Sequence, residues 1–153
     1  MARIVKNTLT GNSISIPNPI DEEVIFDGGV MITETDTKGI ITYANRNFRE
    51  MTGYSKEELI GSPHSINRHP DMPKVAFKEM WETIKEGYYW EGYVKNLRAD
   101  GKYYLVLVFI KARKDEKGNI IGYIAGRKVP EATMVDKVFS HYKFLLEEEK
   151  RTK

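Results

Sequence analysis

The chain contains no cysteine. Disulfide stapling, thiolate catalysis and cysteine-ligated zinc are therefore excluded. No apolar run approaches the ~20 residues that a membrane-spanning helix needs. The opening Met1-Ala2-Arg3-Ile4-Val5-Lys6 lacks the apolar centre of a secretory signal. The expected location is cytoplasmic, without direct membrane insertion. Neither charge sign dominates: 24 Lys and Arg face 22 Asp and Glu, a net charge of +2. So weak a field argues against a dedicated nucleic-acid binder. No Walker loop, Ser-His-Asp set or pair of acid/base carboxylates stands in the sequence, and the glycines fall at turns, so no enzyme is expected.

What remains is one ordinary domain of 153 residues, 41% hydrophobic and 30% charged, long enough for a real core. Residues 1–23 are rich in Asn, Ser, Thr and Pro, with weak apolar alternation at Ile14 and Ile16. They read as an N-terminal extension that docks on the domain edge. The domain proper covers residues 24–129, and residues 130–153 form a C-terminal amphipathic helix.

Within the domain, Val30 to Thr35 and Ile40 to Ala44 read as a hairpin about the turn Asp36-Thr37-Lys38-Gly39. Asn45 stands where a helix can start, with Phe48 and Met51 at helical spacing and Gly53 as the stop. Ser55 and Glu58 make a capping box for a second short helix. Pro73, Ala76, Phe77, Met80, Trp81 and Ile84 then recur at i, i+3, i+4, i+7, i+8 and i+11, the stripe of a longer helix closed by Gly87.

The second half is a three-stranded meander, Trp90 to Leu97, Tyr103 to Arg113 and Ile120 to Val129, joined by Gly-containing turns. Period 2 puts Trp90, Gly92, Val94 and Asn96 on one face. An asparagine there needs a partner, since an unmet buried amide costs roughly 1–3 kcal/mol. Either a neighbouring backbone or a ligand supplies it. Tyr103 to Ile110 is apolar on both sides, so the outer face carrying Leu105, Leu107 and Phe109 needs a cover: a helix, the extension or another protein. The C-terminal helix carries Val135, Val138, Tyr142 and Leu145 on one side. It either folds back on the domain or pairs with a partner helix.

The densest functional signal is His64-Ser65-Ile66-Asn67-Arg68-His69-Pro70-Asp71-Met72-Pro73. A cation-rich polar segment at a helix entrance is a candidate anion or cofactor site. The competing reading is a surface turn whose Asp71 caps the next helix.

The order of elements resembles a PAS domain, an α+β fold in which a five-stranded antiparallel sheet is covered on one face by helices that enclose a ligand cavity. Tyr43-Ala44-Asn45-Arg46-Asn47-Phe48 and Gly53-Tyr54-Ser55-Lys56-Glu57-Glu58-Leu59-Ile60-Gly61 are typical of PAS sequences in general. More specific are Arg68-His69-Pro70-Asp71-Met72-Pro73, Phe77 and Trp81 on the next helix, then Trp90-Glu91-Gly92 and Lys95-Asn96. Together these are similar to the PAS domain of the bacterial aerotaxis receptor family.

That resemblance implies non-covalent FAD, read as a redox signal, with Asn45, Arg68, His69, Asp71, Phe77, Trp81, Trp90 and Asn96 at the flavin. Arg68 suits a pyrophosphate, and the two tryptophans suit flat rings. It also implies a membrane-bound chemoreceptor-type partner. The chain ends at Lys153 without the family's membrane and signalling segments, which gives the expectation of a free-standing sensor subunit, as a homodimer joined through the sheet face or terminal helices. Self-association or receptor contact is expected around Leu105, Leu107 and Phe109. Two other expectations compete: a haem-binding PAS sensor with His69 or His64 as axial ligand, and a cofactor-free PAS dimerisation module. The missing cysteine rules out a cysteinyl-adduct photoreceptor.

Overall fold

The computed structural model describes residues 3–152. Five strands form one antiparallel sheet: β3 (Met31–Thr35), β4 (Ile41–Ala44), β5 (Trp90–Leu97), β6 (Tyr103–Lys114) and β7 (Ile120–Lys128), in the order β4-β3-β7-β6-β5. The hairpin and the meander are both present. The first and last segments of the domain meet at the centre, where β3 pairs β7 with Thr33 opposite Ala125 and Met31 opposite Arg127.

Local capping rules set the first two of the four described α-helices. α1 (Arg46–Thr52) starts at Asn45, whose side chain accepts from the Phe48 N–H, and stops at Gly53 in the left-handed region. α2 (Lys56–Leu59) carries the expected Ser55–Glu58 capping box. A 3-10 turn at His64–Asn67 leads into α3 (Lys74–Lys85), and α4 (Ala132–Arg151) ends the described chain.

The expected cap of α3 is different. Asp71 does not reach its first turn. The Lys74 and Val75 N–H groups instead donate to the carboxylate of Glu149, at the far end of α4. Pro73 leaves no side-chain cap of its own, so the unpaired amides of the first turn find an acceptor from another helix.

The N-terminal segment is a hairpin, β1 (Arg3–Lys6) and β2 (Ser13–Ile16), and Val5, Ile14 and Ile16 belong to the same core as Phe48, Leu59 and Tyr104. Its anchor is Asn7, 1% exposed. The Asn7 amide donates to the carbonyls of Glu57, Glu58 and Ile60 at 3.1, 3.1 and 2.9 Å, and its oxygen accepts from the Leu9 and Thr10 N–H groups.

The C-terminal helix folds back. The Tyr142 hydroxyl donates to the Tyr93 carbonyl at 2.8 Å, and Phe139 and Tyr142 pack on the core. Val135, Phe139, Tyr142 and Leu146 line one groove with Tyr103 and Leu105. Leu107 is buried, and Phe109 lies between Tyr89 and the Lys128 ammonium. On the outer face where docking is expected around Leu105, Leu107 and Phe109, the chain's own residues thus supply part of the cover, while Leu105 and Phe109 stay part-exposed. A two-faced apolar strand needs a cover, and the nearest apolar stripe is tethered to the same chain.

Candidate functional site

Strands expose alternate residues to one side. The inward sides of β3, β5, β6 and β7 present Thr33 and Thr35, Trp90, Val94 and Asn96, Val108 and Ile110, and Tyr123, Ala125 and Arg127. The stripe of α3 faces them with Phe77, Met80, Trp81 and Ile84. Between sheet and helix lies a cavity of about 270 Å³, near the lower end of small-molecule sites.

Five of the eight residues expected from the sequence meet at this cavity: Arg68, Phe77, Trp81, Trp90 and Asn96. Two glycines fit the tryptophans. Trp90 lies along its own strand over Gly92, so closely that a Cβ there would stand 2.4 Å from the indole. Trp81 packs on Gly39, the turn glycine of the β3–β4 hairpin, and edge-on against Tyr123. A bridge between the Arg68 and Asn96 backbones holds the 3-10 segment to β5. The Arg68 guanidinium then lies 4.6 Å from the Phe77 ring centre, and this residue is part-exposed at the cavity wall. Asn96 stands opposite Tyr104 in register, and the buried Tyr104 hydroxyl also accepts from the Asn67 amide at 3.4 Å.

The other three are elsewhere. Asn45 is the cap of α1 and ties Ile32 and Val30 of the neighbouring segment through both ends of its amide. His69 is buried, and its Nδ1 accepts from the Asp71 N–H at 3.0 Å. Burial, then the Lys95 charge, push the imidazole down to about 4 against the Asp71 carboxylate, so it is neutral at pH 7 and carries no charge for a phosphate. Asp71 pairs with Lys95 at 2.9 Å. Burial raises its carboxyl, but the hydrogen bond and charge of Lys95 outweigh that and hold it below the usual carboxylate range. His69, Asp71 and Lys95 therefore form a cluster beside the cavity that fixes the chain before α3.

Sequence reasoning left out the cavity's most buried charge. Arg127 is 6% exposed. Its Nη1 donates to Thr33 Oγ1 at 2.9 Å and to the Ala125 carbonyl at 3.1 Å, and its Nη2 lies 2.9 Å from His64 Nε2. The plane of the guanidinium sits 4.6 Å from the Phe48 ring centre. Burial pushes Arg127 down to about 10, still cationic at neutral pH. Burial and that neighbouring cation push His64 down to about 3, so His64 is neutral and accepts through Nε2. A legible signal existed: Tyr123, Ala125 and Arg127 share one inward face, and a cation at the third of these positions interrupts an otherwise uncharged wall. Lys38 also lines the cavity, and no Asp or Glu does.

A family model described as the PAS fold matches residues 41–125. The chain belongs to the PAS family.

Within that family it is similar to the aerotaxis receptor of Escherichia coli (strain K12), with 44% identity over 103 residues, 67% of this chain and 20% of the receptor. The nitrogen fixation regulatory protein of Klebsiella pneumoniae is 31% identical over 102 residues, 67% of this chain and 21% of that protein. The chain thus spans about a fifth of the length of these two curated relatives. Among solved structures, the light state of the blue-light photoreceptor Aureochrome1 LOV matches with a TM-score of 0.62 and 25% identity, covering 78% of this chain and 91% of that one. These relatives are named as a receptor, a regulator and a photoreceptor; the chain is a PAS domain similar to that of the aerotaxis receptor, and no enzymatic family is indicated. No described helix is long and apolar enough to cross a membrane.

Proposed function

We propose that the chain is an FAD-binding redox sensor of the energy-taxis type. The observation that carries this reading is a cavity walled by aromatic side chains, holding three cations and no carboxylate. The donor set fits a flavin. Phe77, Trp81 and Trp90 offer flat apolar surface, and the Asn96 amide can donate to and accept from the polar ring edge. Arg127 has one buried N–H, on Nε, with no partner. The volume suits the flavin ring system and not a whole dinucleotide. The remainder would leave past Lys38, Ser65 and Arg68, which are exposed or part-exposed polar residues of the wall, with Arg68 placed for a phosphate by its planar fork.

The flavin supplies reversible electron uptake when bound. The protein's part is to hold the ring, exclude water and carry the change outward. α3 borders the cavity along one side and meets Glu149 of α4 at its N-terminus. A change of ~1–3 kcal/mol in partner affinity suffices for signalling. The partner in this reading is a membrane-bound, chemoreceptor-type protein in the cytoplasm's reach, with α4 and its surroundings as the contact region and a homodimer as the assembled form.

The haem alternative is weaker. His64 Nε2 is engaged by Arg127 and Thr33, and His69 lies outside the cavity wall with Nδ1 engaged by the Asp71 N–H. The decisive measurement is the absorbance spectrum of purified protein with and without dithionite, with the released cofactor identified by chromatography. Flavin bands that bleach are expected, from FAD. A Soret band, or protein that stays colourless when mixed with excess FAD, would refute this reading. Arg68→Ala is expected to lose most of the bound FAD; full retention would remove Arg68 from the site.

A further inference from the structure

Arg127 is a buried cation without a counter-ion. No carboxylate of the described residues pairs with it, and none lines the cavity. Its neighbours are neutral acceptors, namely Thr33 Oγ1, the Ala125 carbonyl and His64 Nε2, together with the face of Phe48. These orient the guanidinium but do not neutralise it. A desolvated charge in such surroundings is costly unless a negative partner is supplied. The Nε N–H, buried and unpartnered, adds a missing acceptor to the missing charge. Other groups packed around this end are Thr35, Asn67 and Tyr104, all neutral, and burial holds the Tyr104 phenol in its neutral form by raising its pKa.

We infer that Arg127, oriented by His64 and Thr33, is the anion-recognition pole of the cavity, and that it meets the carbonyl-bearing edge of the flavin ring and favours the ring once it carries negative charge. This rests on the flavin reading above. The chemistry decides the orientation. One edge of the ring is a methylated hydrocarbon, suited to Trp, Ile and Val. The opposite edge bears carbonyl oxygens and ring nitrogens. Two electrons and one proton added to the neutral oxidised ring leave one net negative charge, delocalised over that second edge. One electron without a proton does the same. A fixed cation at that edge therefore binds the reduced ring more tightly than the oxidised one and raises the potential. Neutral His64 is needed for the geometry, because a protonated imidazole could not accept from Arg127.

The test is the midpoint potential of the FAD-loaded protein, with dithionite as electron donor. In FAD-loaded Arg127→Gln, binding of the reduced relative to the oxidised ring is expected to weaken about tenfold, a fall of about 30 mV for a two-electron couple. Arg127→Lys, which keeps the charge, is expected to restore part of it. His64→Gln, which can still accept from Arg127, is expected to keep the potential. An unchanged potential in FAD-loaded Arg127→Gln overturns the inference. A readout on the unaltered protein stands beside it: the one-electron-reduced flavin should show the red absorbance of the anion, and the blue absorbance of the neutral form overturns the inference even if the Gln variant does not fold. Failure of the unaltered protein to bind FAD overturns the flavin reading instead, and so is distinguishable.

Discussion

Glu149 caps Lys74. The Lys74 N–H donates to Glu149 Oε1 and the Val75 N–H to Oε2, both at 3.0 Å, across 75 and 74 residues of sequence. A carboxylate at a helix N-terminus is favoured by both the free amides and the helix dipole. The consequence is mechanical. α3 lines the cavity with Phe77, Met80, Trp81 and Ile84, and its first turn is held by the last turns of α4. α4 itself has no fully buried residue, so its seat on the sheet depends on a few half-buried side chains and on this cap.

Glu149→Ala should therefore release the end of α4. Loss of a cap costs about 0.5–2 kcal/mol. Hydrogen exchange across residues 132–151 should quicken while the central sheet stays protected. Exchange in α4 that matches the unaltered protein would show that the cap does not hold the helix.

Gly92→Ala should disturb Trp90 more than the fold. The backbone there accepts a side chain, but the new methyl stands 2.4 Å from the indole. Relief comes by moving the ring, since a flexible side chain yields before a paired strand, and overpacking of this kind costs roughly 1–3 kcal/mol. Tryptophan emission should shift and flavin affinity should fall. Emission and affinity both unchanged would mean that Trp90 does not wall the site.

Acid should destabilise the protein through His64. Its ordinary value of 6.5 is pushed to about 3 in the fold by burial and by Arg127. Between those values the unfolded chain holds a proton that the folded chain refuses, so stability rises with pH across the window. The contribution is complete above about 6.5 and is lost as pH falls towards 3. His69, lowered to about 4, adds in the same direction over a narrower range. Urea denaturation at a series of pH values should show the loss, and His64→Gln should flatten it. An equally steep acid limb in that variant would assign the effect to other groups.

Asn7→Ala should loosen the N-terminal hairpin. The Asn7 amide meets three carbonyls at the end of α2, and its oxygen holds two N–H groups of its own turn. Leaving even one of these buried groups unmet costs roughly 1–3 kcal/mol. The urea midpoint should fall by a matching amount. A neutral outcome would mean that water replaces the side chain, and the hairpin is then an accessory to the core.

The order of strands and helices was legible because its signals are local. Asn45 caps α1 from one position away, Ser55 and Glu58 cap each other across three, and Gly53 and Gly87 stop helices by their own backbone freedom. Alternation also placed Trp90, Val94 and Asn96 on one face, and the stripe of α3 placed Phe77 and Trp81. The motif around Arg68 drew His69 and Asp71 into the site with it, although the side chains of one short turn do not all point the same way. Their side chains part, Arg68 to the cavity and Asp71 to Lys95.

What the sequence determined by itself was the strands, the helices and the aromatic wall, since each follows from spacing within a single element, while its ordered motifs carried the resemblance to the family. Only the tertiary structure decided which charge is buried and which helix caps which. Arg127 meets His64 across 63 residues, and Glu149 meets Lys74 across 75. Such pairings have no periodicity to announce them. They exist because the pairing of β3 with β7 and a folded-back helix leave polar groups at positions where only a distant residue can satisfy them.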